Sequence, residues 1–132
     1  MNNLLIIVAY YFFILSSILG FGLFFSKIFK IKLISNNFGY VGLFGLYILL
    51  IYSYLSNFFI AHSKIHNILL LGIGVIIFFY IILKDYTKYR KEILITSIVF
   101  FIISSALFLH KNHDDFFYYH FPYTYYLTQQ SF

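Results

Sequence analysis

Four long apolar stretches divide this chain, and the short polar segments between and after them carry all of its charged residues. The first stretch runs from Leu4 to Phe25, the second from about Gly39 to Ala61, the third from Ile65 or Ile68 to Leu83 and the fourth from Ile93 to Leu109. Each is apolar around its whole circumference and far longer than a strand of about 4 to 8 residues, so the pattern predicts spanning helices rather than surface helices or barrel strands. A helix rising about 1.5 Å per residue needs about 20 residues to cross roughly 30 Å of hydrocarbon. The fourth stretch is the shortest and sits at the lower bound, so its helix is expected to run into the flanking polar residues at one end. The fold class that follows is all-α: a four-helix transmembrane bundle over residues 1–109, then a short interfacial aromatic segment over residues 110–132.

Composition strengthens this reading. The chain has 132 residues, 62% of them hydrophobic and only 10% charged, with a mean hydropathy of +0.89. A soluble domain normally carries about 25% charged residues, so lipid is the solvent expected here, and no length remains for a soluble catalytic domain. The absence of cysteine excludes disulfides, thiol nucleophiles and thiolate metal sites. Phe and Tyr are abundant alongside Ile, Lys and Asn, a bias typical of AT-rich coding, so aromatic counts alone carry little weight. The net charge of +5 does not point to nucleic acid, which needs basic residues clustered on a folded polar face. The lysines lie between apolar runs instead, a placement suited to anionic lipid headgroups.

Charge also sets an expected orientation. Lys27, Lys30 and Lys32 follow the first stretch and Lys84, Lys88, Arg90 and Lys91 follow the third, whereas the opposite side holds Lys64 and Lys111. Short loops rich in Lys and Arg stay cytoplasmic, which predicts an integral membrane protein with both ends extracytoplasmic. The start, Met1-Asn-Asn, lacks a positive n-region and a small-residue cleavage site, so the first helix is expected to be retained.

Small residues mark expected close approaches between helices. Gly39, Gly42 and Gly45 recur every third residue on roughly one face, and Gly20 with Gly22, Gly72 with Gly74, and Ser104-Ser-Ala106 fit the same description. Ser53, Ser56 and Asn57 suit either a polar bundle interior or bonds to their own backbone near the interface; the second is favoured. His62 and His66 stand four apart in the short loop before the third helix. A pair satisfied within the loop is the favoured reading over metal ligands.

Candidate chemistry concentrates after residue 109. His110, His113 and Asp114 are spaced i, i+3 and i+4, with Asp115 beside them and His120 able to fold back. Imidazole and carboxylate are ligands for divalent metals, and a carboxylate pair at a membrane surface also serves as a general base or as an anchor for Mg²⁺ or Mn²⁺. The spacing matches no established metal motif, and a solvated polar exit from the bilayer accounts for the same residues. The next stretch, Phe116 to Leu127, is rich in tyrosine, which favours the headgroup zone and equally offers stacking surfaces for a sugar.

The Leu-Gly-Phe-Gly-Leu-Phe-Phe-Ser-Lys run at 19–27, the glycine-rich second stretch and the Asp-Asp-Phe-Phe-Tyr-Tyr-His-Phe-Pro-Tyr segment from Asp114 resemble the N-terminal part of an uncharacterised bacterial family of large polytopic membrane proteins. Over about fifteen residues, the acidic pair followed by Tyr and His is also similar to the first outer loop of C-type integral-membrane glycosyltransferases, which use polyprenyl-linked sugar donors. That resemblance implies Asp114 and Asp115 as catalytic acids acting as base or metal contact, with Tyr119 and His120 contacting substrate. In those enzymes the acidic loop usually follows the first span; here it follows the fourth. The leading expectation is the N-terminal portion of a glycosyltransferase-like envelope polysaccharide protein, a piece that by itself would be inactive. The competing expectation is a small non-enzymatic membrane protein that packs against a partner. Transport ranks third, because no ionisable residue falls mid-span.

Overall fold

A computed structural model describes residues 2–31, 36–60, 62–109, 122 and 124–126. The protein is all-α. Four long helices follow one another as α1 (Asn2–Ile28), α2 (Phe38–Ser56), α3 (Lys64–Lys84) and α4 (Tyr86–Leu109). Residues 5–28, 38–56 and 64–84 are each long and apolar enough to cross a membrane. Within these spans only 28%, 17% and 22% of the most apolar windows are buried against the rest of the chain, so the greater part of each helix needs an apolar solvent around it.

The helices begin and end for local reasons. Asn37 is the N-cap of α2, its Oδ1 accepting from the Gly39 and Tyr40 amides at 2.8 and 3.3 Å. Ser63 caps α3 in the same way, its Oγ accepting from the His66 amide at 3.2 Å. At the end of α1 the Ile31 amide reaches back to the Ser26 carbonyl at 3.0 Å and the Lys30 amide to the Lys27 carbonyl at 3.2 Å. This is a Schellman closure, and Lys30 holds the left-handed position with φ 56° where glycine is usual. The α3-to-α4 connection is one residue long: Asp85 alone breaks the helical run. The polar stretch from Tyr86 to Glu92, read from sequence as a connection, is the first turns of α4. That absorption brings the short fourth apolar stretch up to 24 residues of helix.

Direction alternates along the chain, so the termini of α1, α2, α3 and α4 gather into two ends. One is rich in lysine, where Lys27, Asp85 and Lys88 lie; the other holds His62 and His66. Helix α1 is the spine. It runs antiparallel to α2 and parallel to α3, packing closely on both. Glycines permit these approaches: a methyl at Gly45 would overlap the Ile18 carbonyl, at Gly22 the Val41 carbonyl, and at Gly20 the Gly74 carbonyl. Gly72, by contrast, faces open space, and Gly39 sits in the exposed first turn of α2 beside its cap. The glycine pattern therefore marks close packing at Gly20, Gly22, Gly45 and Gly74 and not at Gly39 or Gly72.

The core lies toward the lysine end. Leu19, Leu23, Phe38, Val41, Ile81, Ile82 and Tyr89 form one buried cluster. Phe38 binds it together, its ring 5.7 Å from Tyr89 and 6.4 Å from Phe78. Helix α4 is held much more loosely than the other three and stands off from α1 along most of its length.

Candidate functional site

Three arrangements could carry function, and the largest is an apolar cleft. Because α4 diverges from α1, a cavity of about 360 Å³ opens between them, walled by Tyr11, Ile14 and Ile18 on α1 and by Thr96, Phe100 and Ser104 on α4. A second cavity of about 410 Å³ lies on the α3 side of the same gap and shares Leu15, Thr96 and Phe100 with the first. Both fall within the roughly 300 to 1,000 Å³ of ligand pockets. Their walls are almost wholly apolar, relieved by the hydroxyls of Ser16, Thr96, Ser97 and Ser104. The edge-on ring pair Phe12–Phe100, 6.1 Å apart, is the bridge across the gap. The α1/α4 cavity is lined by residues 11–18 of α1 and 96–104 of α4, the middle turns of both helices, and on α4 it reaches to within five residues of Leu109.

The lysine end is a clamp. Lys27 Nζ donates to Asp85 Oδ2 at 2.7 Å, tying the end of α1 to the α3–α4 turn. The hydrogen bond from Lys27 holds the Asp85 carboxyl below the usual carboxylate range; desolvation opposes it, and the charges of Lys27, Lys84 and Lys88 add smaller lowering effects. Across the same end, the Phe38 amide donates to Glu92 Oε2 at 3.1 Å. Phe38 is the first residue of α2, so Asn37 and Glu92 together satisfy the first three amides of that helix and place a carboxylate at its positive pole. Tyr89 is buried beside them, with Lys88 Nζ 4.9 Å over its ring and its hydroxyl lacking a partner among the described residues.

The histidine end is a small polar cluster. His62 Nε2 lies 2.8 Å from Ser56 Oγ, and His66 Nε2 lies 3.3 Å from the Tyr52 hydroxyl. The two imidazoles stack with centroids 5.0 Å apart, and Tyr52 stacks on His66 at 6.0 Å. Both rings thus spend a nitrogen on α2, closing the α2–α3 loop. The Ser56 hydroxyl also lies 3.3 Å from the Ser53 carbonyl, so it serves the end of α2 rather than a polar bundle interior. Among the described residues no group of three or more His, Asp or Glu side chains comes together to hold a metal ion.

The candidate site residues Asp114, Asp115, Tyr119 and His120, and with them His110 and His113, lie outside the described residues. Sequence reasoning passed over the other two acids, Asp85 and Glu92, which both make long-range polar contacts. Asn37 ahead of an apolar run carried a legible N-cap signal. Glu92 carried none, since its partner is 54 positions away.

The fold and these surroundings define an all-α protein whose spans fit a membrane. Searches against protein-family models, curated proteins and solved structures give no match for this chain.

Proposed function

We propose that this chain is the lipid-handling N-terminal portion of a glycosyltransferase-like protein of the bacterial inner membrane, acting on a polyprenyl-linked sugar. The observation that carries the reading is the apolar gap between α1 and α4. It accepts a hydrocarbon tail, runs toward the end of α4 that precedes residue 110, and is framed by the helix held least firmly. A tail seated against Ile14, Ile18 and Phe100 has its head group at the Leu109 end of α4, from which the chain continues in sequence to Asp114 and Asp115. On the resemblance those acids act as base or metal contact, with Tyr119 and His120 against the sugar. The lysine end then faces the cytoplasm, consistent with the distribution of Lys and Arg.

The test is photolabelling of the full chain in phosphatidylethanolamine/phosphatidylglycerol vesicles with a photoactivatable polyprenyl phosphate, and separately with a photoactivatable phosphatidylcholine. The expected result is labelling of the α1 and α4 walls at least five-fold stronger with the polyprenyl probe, abolished by Thr96→Trp, which fills the gap. Equal labelling by both probes, or labelling indifferent to Thr96→Trp, overturns the proposal. The competing reading, a non-enzymatic membrane protein that packs against a partner, draws on the structural use of Asp85 and Glu92; it expects no preference for the polyprenyl probe.

A further inference from the structure

Helix α2 turns its back on the bundle. Val41 and Gly45 meet α1, and away from that contact Tyr40, Leu43, Tyr47, Leu50 and Tyr54 stand 56%, 66%, 61%, 66% and 68% exposed, with Leu43 also bordering a cavity of about 450 Å³ between α1, α2 and α4. These five follow the spacing three, four, three, four without interruption. That is the a/d pattern of a heptad seam, whose 3.5-residue period matches a left-handed helix pair.

We infer that α2 pairs along this seam with α2 of a second copy of the chain, in a parallel two-fold dimer within the membrane. Two copies inserted with the same orientation meet in parallel, and a two-fold axis sets each a-position side chain against its own counterpart. The seam carries no charge, so no like-charge repulsion opposes self-association.

Tyr47 distinguishes a protein occupant from lipid. It is the middle residue of α2, nine positions from either end of Phe38–Ser56, and about 13 Å of helix separates it from each terminus at the α-helical rise. Tyr40 and Tyr54 can reach the headgroup zones, but the Tyr47 phenol cannot. Among the described residues its hydroxyl makes no hydrogen bond, and hydrocarbon offers none. Opposite a second Tyr47 each hydroxyl finds a donor or acceptor at its own depth, which a two-fold pairing supplies without any further component.

The seam supplies most of the area a dimer needs. A whole aromatic side chain presents roughly 150 to 250 Å², so the exposed parts of these five residues amount to on the order of 600 Å² per copy. A stable dimer uses about 800 Å² per partner, flanking side chains included.

The chain has no cysteine, so single cysteines report without background. Each residue from Tyr40 to Tyr54 is replaced in turn by cysteine in the full chain, reconstituted in phosphatidylethanolamine/phosphatidylglycerol vesicles and oxidised, with Ile76→Cys on the exposed face of α3 as the control. Disulfide-linked dimer is expected to peak at Leu43→Cys and Leu50→Cys, seven residues apart and each at least five-fold above Ile76→Cys, whereas Tyr47→Cys, which lacks the phenol, falls below both. Adding Tyr47→Phe to Leu43→Cys is expected to lower the yield several-fold. A profile without that period, a yield at Ile76→Cys equal to the seam positions, or undiminished dimer in the Tyr47→Phe background overturns the inference.

Discussion

Glu92 carries a charge at the border of an apolar helix, and its role depends on a residue 54 positions earlier. The carboxylate replaces the hydrogen bond that the first amide of α2 would otherwise lack, and it meets the positive end of that helix. Glu92→Ala is expected to destabilise the protein by about 1 kcal/mol, the usual cost of losing a helix cap, read as earlier thermal unfolding in detergent micelles. Tyr89 gives the opposite expectation. Its hydroxyl is buried without a partner among the described residues, so Tyr89→Phe removes an uncompensated polar group while keeping the ring against Phe38. The same assay should show Tyr89→Phe no less stable than the parent. A loss at Tyr89→Phe equal to that at Glu92→Ala would mean that the hydroxyl has a partner after all.

At the scale of elements, the bundle depends on backbone approach rather than on large side chains. Without a hydrophobic drive between helices in lipid, close van der Waals packing is the force that remains, and α1 gains it on both sides through Gly20, Gly22, Gly45 and Gly74. Gly45→Ala drives a methyl into the Ile18 carbonyl, which cannot rotate aside, so α1 and α2 must separate at a cost of about 1 to 3 kcal/mol. Gly72→Ala meets nothing within 4 Å and improves helix propensity, so it should be neutral or stabilising by up to about 1 kcal/mol. Resistance of the two variants to unfolding by dodecyl sulfate separates these outcomes. Sequence alone treated the two glycines alike, since both sit in small-residue patterns and the pattern does not reveal which face the neighbouring helix takes.

For the whole molecule, the lysine end is fastened and the other end of α4 is not. Lys27 and Asp85 join α1 to the α3–α4 turn, Glu92 joins α4 to α2, and beyond these anchors α4 diverges to leave the apolar gap. The clamp has a definite pH dependence. The Asp85 carboxyl titrates below its ordinary value in the folded protein, so as pH falls the unfolded chain takes up the proton first. Its contribution is complete above about pH 4, the ordinary carboxylate range, and fades as pH drops through the lower folded value. Wild type should therefore unfold at a higher temperature than Asp85→Asn at neutral pH, by a small margin because the pair is accessible to water, and the two should converge below about pH 4. A margin that stays constant down to pH 2 would remove this ion pair from the account.

The sequence by itself determined that the protein is helical and built for lipid, because uncharged runs of span length leave the backbone only one way to satisfy its hydrogen bonds where water is excluded. It also marked the glycines from which the close approaches are drawn, and the pairing of His62 with His66, though His66 belongs to α3 and both rings take their partners from α2 rather than from the loop. Tertiary structure decided which glycines touch, that the polar stretch after Asp85 is helix, that Asp85 and Glu92 fasten one end, and that α4 stands apart from α1. Those outcomes depend on the rotation and offset of one helix against another. In a chain apolar on every side that rotation is not written in the periodicity; it is set by shape, glycine against carbonyl and carboxylate against a distant amide.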